Sequence, residues 1–271
     1  MDMGLSGKTV IVTGATANIG RAIALEMAGE GVNLVAVGRD QDAGARVVAE
    51  ALERGAGGAR FLAVDLLDAD CGDRIVTQTL DAFGSVDILV NNVGGNSAMG
   101  FFAESDPASW AADIDITFMS VLRMSRAALP PMIARKSGKI INIGSTAGIV
   151  GDHMLSVYSA AKAAVHGFTR ILAKEVGRHG ICVNCVAPYA TLASDPAAFS
   201  AGSRFHPESG FFTHAVAGLD PGELRHLHRS GPLDRTTARP EEIAAAVIYL
   251  ASAKADFITG EVLPVSGGVM L

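Results

Sequence analysis

Short apolar runs alternate with longer segments of helical period from one end of this chain to the other, and few architectures accept that rhythm. The runs are Thr9–Thr13, Asn33–Val37, Arg60–Val64, Ile88–Asn91, Lys139–Ile143, Cys182–Val186 and Glu261–Val265. Helical period occupies residues 19–29, 41–54, 70–83, 107–135, 155–178 and 240–253, the last opened by Arg239-Pro240, where proline suits a first turn. Strand and helix in alternation predict an α/β chain, a doubly wound parallel sheet of seven strands with helices on both faces. With 271 residues, 49% of them hydrophobic, one substantial core can form, and we expect a single domain over 1–271. Residues 189–235 break the rhythm, being long, irregular and rich in Gly, Pro, Phe and His. A connection of that size is usually functional, and this one starts beyond the carboxyl end of a strand, the side on which doubly wound sheets bind ligands.

The charge balance excludes several partners. Formal net charge is −6 with no basic run, so no nucleic-acid surface is expected. No run of about 18 apolar residues occurs and the start carries no cationic segment leading into an apolar one, so we expect a cytoplasmic protein with no membrane partner. Cys71, Cys182 and Cys185 are too few and too oddly placed for a disulfide framework, and read as buried thiols. His226-Leu-His228 does not suggest a metal, because residues two apart on a helix do not share a face and no ligand-spaced partner accompanies them.

Thr13-Gly-Ala-Thr-Ala-Asn-Ile-Gly20 follows the first strand and opens a helix, the setting of a turn that cradles phosphate. Gly14 permits the tight turn, Gly20 lets helix and sheet approach, and the amides around Ile19 face a pyrophosphate. Asn18 stands where the pattern has a second glycine; asparagine is the least costly other residue at positive φ. A Walker-type loop fails, because Arg21 and Ala22 stand where Lys-Ser/Thr would be needed. The second strand ends in Gly38-Arg39-Asp40. Gly38 leaves no acid for a ribose diol and Arg39 suits a 2′-phosphate, whereas Asp40 repels one, so NADP is favoured with NAD the alternative.

Tyr158 and Lys162 lie one helical turn apart on a common face, and Ser145 closes the apolar run beginning at Lys139. A phenol of pKa near ~10 must fall by roughly 3 units to exchange protons at neutral pH, and a neighbouring ammonium favours that. Ser145 would hydrogen-bond a carbonyl oxygen that Tyr158 protonates as hydride is delivered.

Taken in order, these residues resemble the classical short-chain dehydrogenase/reductase family, and the resemblance covers essentially the whole chain. Val64-Asp65-Leu66 looks like the family's adenine-contacting acid, and Asn91-Asn92-Val93-Gly94 like its fourth-strand motif. Gly231-Pro-Leu-Asp-Arg235, Arg239-Pro-Glu-Glu-Ile-Ala244 and Ile258 through Gly268 resemble the terminal segment of the subgroup containing 3-oxoacyl carrier-protein reductases. The resemblance implies a Rossmann fold and a nicotinamide cofactor, with Tyr158 as acid/base, Lys162 lowering its pKa and holding ribose, Ser145 orienting the carbonyl, and Thr191 binding the carboxamide. It also implies a homotetramer built on the outer faces of helices 107–135 and 155–178.

Three positions depart from the family pattern. Thr117 replaces an asparagine that supports a proton relay through a local helix distortion; a threonine hydroxyl can bond back to its own helix and keep a bend. Pro188-Tyr189 replaces Pro-Gly, and Asn18 is the third. In 189–235, Tyr189 with Phe199, Phe205, Phe211 and Phe212 is expected to form an apolar lid over the substrate, with packing of the loop on its own body or an oligomer contact as the alternative, and His153 either reaches the substrate mouth or stands on an exposed turn. The expected activity is hydride transfer between NADP and the carbonyl or alcohol of a small to medium, largely apolar substrate. The alternatives are a dinucleotide-binding sensor or scaffold with little turnover, and an enoyl reductase.

Overall fold

The computed structural model describes residues 2–97, 99–200, 203, 206, 210, 215, 219–220, 222, 226–227, 229–233 and 235–271. Its centre is one parallel sheet of β1 (Thr9–Thr13), β2 (Asn33–Gly38), β3 (Gly58–Ala63), β4 (Ile88–Asn91), β5 (Gly138–Ile143), β6 (Ile181–Pro188) and β7 (Val262–Val265), in the order β3-β2-β1-β4-β5-β6-β7. All seven expected runs are strands, with ends moved by a few residues. The chain winds outward from β1 in one direction through β3 and then returns to build β4 to β7 on the other side, which leaves a switch point between β1 and β4.

The helices are α1 (Asn18–Gly29), α2 (Gln41–Glu53), α3 (Cys71–Phe83), α4 (Pro107–Ile114), α5 (Ser120–Arg135), α6 (Ala147–Val150), α7 (Ser156–Val176) and α8 (Pro240–Ala251). Side-chain alternation along β1 shows how they are divided. Val10 and Val12 join Ile23, Met27, Val47, Ile243 and Val247 in a core under α1, α2 and α8. Ile11 faces the other way and packs with Ile75, Met124, Met132, Leu172 and Val176 under α3, α5 and α7. Both faces of β1 are therefore buried, which is why its sequence is apolar at every second position in each direction. Each such side chain contributes about 1.5–3 kcal/mol by leaving water.

The helical period over 107–135 is interrupted. A single π-turn, Asp115–Met119, separates α4 from α5, with fully buried Thr117 inside it. The expectation that the threonine hydroxyl bonds its own helix is overturned: Oγ1 donates to the Gly95 carbonyl (2.8 Å) and accepts from the Gly95 amide (3.1 Å). The distortion thus fastens this helix to the chain leaving β4, where the added residue can be accommodated. Pro240 occupies the first turn of α8 as expected, and the Glu242 carboxylate accepts from the Arg239 amide (2.8 Å).

Candidate active site

The carboxyl ends of β1, β2, β4, β5 and β6 open into a cavity of about 1030 Å³. Gly14, Asn18, Ile19, Gly20, Arg39, Asp65, Leu66, Asn92, Val93, Gly94, Ser145, Tyr158, Lys162, Pro188, Thr191, His153 and Tyr189 all line it. One wall holds the turn between β1 and α1. Asn92 joins it to β4, its Nδ2 donating to the carbonyls of Thr13 (3.0 Å) and Gly14 (3.2 Å) while its amide donates to Thr13 Oγ1 (2.9 Å). A Cβ at Gly20 would stand 2.0 Å from the Gly14 carbonyl oxygen, so this crossing requires glycine. Asn18 is buried with φ at +43°, the left-handed conformation expected at that position. No acidic side chain lies in the first turn of α1, and its amides are left to receive an anion. A nicotinamide dinucleotide fits this cradle: close backbone at 14 and 20, a helix N-terminus beside it, and a cavity continuing to Lys162.

At the far end of β2, Arg39 is largely exposed and lies 3.9 Å from the Asp65 carboxylate. Asp40 caps α2, its Oδ1 accepting from the Ala43 amide (2.9 Å). That engagement holds one carboxylate oxygen on the helix.

The opposite wall is made by β5, its exit and the start of α7. Tyr158 and Lys162 fall one turn apart on α7, the Lys162 Nζ lying 5.8 Å from the centre of the tyrosine ring. Nζ donates to the Ile143 carbonyl at 2.6 Å, and the residue is only 3% exposed. Burial pushes its pKa down to about 8, opposed by the Cys185 thiol nearby. A Cβ at Gly94 would lie 3.0 Å from Nζ, so the glycine ending the β4 motif leaves room for the lysine head. Ser145 follows Gly144 at the end of β5, and its Oγ accepts from the Ala147 amide (3.1 Å), which leaves the hydroxyl proton for another acceptor.

His166 escaped the sequence reading. It lies four residues beyond Lys162 on α7, the spacing that was its one legible signal. Its Nε2 accepts from the Ser145 amide at 3.5 Å, and a Cβ at Gly144 would collide with the ring. Burial first, then the charges of Lys162 and Arg170, lower its pKa to about 4, against a bond to the Gly148 backbone that favours the cation. The imidazole is therefore neutral at ordinary pH and props the Ser145 turn against α7. Cys185, beside it, is pushed up to about 12 by burial, as befits an inert thiol.

Two expectations fare differently on the substrate side. Thr117 is not among the residues lining the cavity, and its hydroxyl bonds Gly95 in both directions. Tyr189 does line the cavity, and its hydroxyl accepts from the Arg229 amide (2.8 Å) while the Arg229 side chain pairs with Asp152 (2.9 Å) and bonds the Gly151 carbonyl. His153 meets Phe101 edge-on at 5.6 Å and His226 at 5.4 Å between ring centres. Phe199 is buried and faces the cavity. Phe205, Phe211, Phe212 and His228 lie outside the described residues. The cavity also takes in Met99, Ile116, Leu155 and Leu192, which the sequence reading did not name. Among the described residues no helix is long and apolar enough to cross a membrane.

Comparison with known proteins agrees with this geometry. Residues 8–199 match the model of the short chain dehydrogenase family. The chain is 34% identical to a 3-oxoacyl-(acyl-carrier-protein) reductase of Vibrio harveyi over 271 residues, covering 99% of this chain and 100% of the relative. The same identity and coverage hold over 269 residues for the protein of that name from Escherichia coli (strain K12). A 3beta-hydroxysteroid dehydrogenase of Mediterraneibacter gnavus is 33% identical over 265 residues, 96% of this chain and 94% of the relative. A parallel seven-stranded sheet wound about a dinucleotide cradle, matched end to end by these relatives, makes the chain a member of the classical short-chain dehydrogenase/reductase family, an NAD(P)-dependent oxidoreductase of the 3-oxoacyl-(acyl-carrier-protein) reductase-like subgroup.

Proposed function

We propose that the protein is an NADP-dependent carbonyl reductase or alcohol dehydrogenase in which Tyr158 is the acid/base, Lys162 its activator and Ser145 the carbonyl-orienting group. The observation that carries this reading is the buried Lys162 ammonium, held by the Ile143 carbonyl one helical turn from Tyr158 in the cavity that Ser145 also lines. A bound nicotinamide supplies or accepts the hydride. In the reducing direction the Ser145 hydroxyl donates to the substrate carbonyl oxygen, and the Tyr158 hydroxyl gives that oxygen its proton. The ammonium of Lys162 stabilises the phenolate so formed, and its burial makes that attraction stronger than it would be in water. His166 keeps the Ser145 turn in place without taking part in proton transfer.

The cofactor residues divide by the part of the dinucleotide they meet. Gly14, Asn18, Ile19, Gly20, Asn92, Val93 and Gly94 form the backbone cradle, with Pro188 and Thr191 beside the nicotinamide and Asp65 and Leu66 beside the adenine. Arg39 is the 2′-phosphate contact; Gly38 supplies no acid for a ribose, and Asp40 is engaged on α2. Met99, Ile116, Leu155, Leu192 and Phe199 favour a small to medium, largely apolar substrate. The segment 189–235, with Tyr189, His153 and the phenylalanines, selects it. Ile114, Met119 and Ile171 are exposed apolar residues on the helical layer, and Phe257 and Leu263 on the β7 edge, which supports a homotetramer. Three buried thiols fit a reducing cytoplasm. Steady-state assay of a panel of ketones and alcohols with NADPH and NADH tests the reading; no turnover with either cofactor would leave a binding protein in its place.

A further inference from the structure

Asn18 does more than tolerate the conformation of a glycine. Its side chain crosses to the chain that leaves β6: Nδ2 donates to the Thr191 carbonyl (3.1 Å) and Oδ1 accepts from the Ala193 amide (3.1 Å). One partner is an acceptor and the other a donor, so the orientation of the amide is fixed by chemistry. The residue is 6% exposed; its bond to Thr191 is buried and its bond to Ala193 partly so. The other edge of the same strip is also held: Ala238 donates its amide to the Ala190 carbonyl (2.8 Å) and accepts from the Leu192 amide (3.1 Å). Residues 190–193 are thus an extended strip whose alternate backbone groups face Ala238 on one side and the Asn18 amide on the other. The side-chain amide occupies the place of a neighbouring strand.

We propose that Asn18 is a positioning residue that couples the phosphate-cradling turn to the strap forming the nicotinamide and substrate side of the cavity. The coupling rests on the reading that a dinucleotide lies along residues 14–20. Thr191 and Leu192 line the cavity directly, and the strap leads on to Phe199 and Ser200, which also line it. A ligand that orders the turn therefore orders the strap through two hydrogen bonds, and substrate meets a wall already set. Glycine at position 18 would suit the positive φ better and yet leave the Thr191 carbonyl and the Ala193 amide without these partners.

Asn18→Gly separates the two roles of the residue. If asparagine merely replaces glycine, the variant should equal or exceed the unmodified protein in every respect. The coupling instead predicts a melting temperature that does not rise, at least about 10-fold faster hydrogen exchange over 190–194, and unchanged exchange in β4. It also predicts that saturating NADPH or NADH slows exchange over 190–194 by a smaller factor in the variant than in the unmodified protein. The KM values for cofactor and substrate should both rise about 5-fold or more, with kcat within about 3-fold. Cofactor binding with identical exchange and KM values in the two proteins overturns the coupling alone. An unmodified protein that binds neither cofactor overturns the functional reading and the coupling together.

Discussion

The two ends of the cavity handle charge in opposite ways. At the Tyr158 end, Lys162 and His166 are buried within one wall, and desolvation lowers the pKa of both. At the Arg39 end the guanidinium stands in solvent, loosely paired at 3.9 Å with an Asp65 carboxylate that is itself well exposed. Interactions are strong and costly in the first place, weak and inexpensive in the second. Under the proposed function, the chemistry sits at the buried end and cofactor choice rests on a solvated side chain that gains its value only when a phosphate arrives.

Lys162→Met is the largest way to break the comparison. Turnover should fall by at least about 10³-fold and cofactor affinity should fall with it, because one ammonium serves both. Stability should move the other way. The folded pKa of about 8 lies below the unfolded value, so the penalty for burying the cation is present in full below pH 8 and disappears as pH rises from there to 10.5. Removing the charge relieves a penalty of roughly 3 kcal/mol while orphaning the Ile143 carbonyl, for a net gain of about 1–2 kcal/mol at pH 7. Denaturant melts and steady-state kinetics on the same variant check both halves. A destabilised variant would show that the buried charge is not a cost.

His166 sharpens the comparison from the acid side. Its folded pKa of about 4 is below the ordinary value of 6.5, so the unfolded chain binds a proton that the folded one refuses as pH falls between those values. The protein should lose up to roughly 3 kcal/mol of stability over that window, and His166→Asn should remove most of that slope. Urea midpoints at several pH values read the difference; parallel slopes would mean that the imidazole takes its proton in the native state.

Arg39→Ala probes the solvated end and should act more gently. NADP(H) binding should weaken by about 1–3 kcal/mol, with NAD(H) changed by only a few tenths. Titration with both cofactors measures it. Tighter binding of NAD(H) than of NADP(H) by the unmodified protein would reverse the cofactor assignment. Raising salt should erode the Arg39 contribution, while leaving the kinetics that depend on Lys162 nearly unchanged.

The strands were legible because a parallel sheet buried on both faces demands continuous apolar runs, and the turn at 13–20 because few sequences can cross at Gly20. Tyr158 and Lys162 could be set side by side by helical spacing alone. The π-turn at Asp115–Met119 could not be read from periodicity, since one added residue leaves the surrounding helical period intact on both sides; only the family resemblance pointed to a distortion there. Thr117 was placed correctly at a distortion, but its partner Gly95 is 22 residues away and outside its helix. Asn18 looked like a tolerable substitution because its partners lie 173 and 175 residues downstream, a distance no local pattern spans. His166 carried only its spacing from Lys162, which a buried core histidine would share.

Tyr158→Phe tests the central claim most directly, since it deletes one hydroxyl and keeps the ring against Lys162. Single-turnover reduction of a ketone that the unmodified protein accepts, followed alongside cofactor titration, should show at least about 10³-fold slower hydride transfer with cofactor affinity nearly unchanged. A variant that keeps more than about a tenth of the original rate would contradict the account, and the acid would have to be sought elsewhere in the cavity.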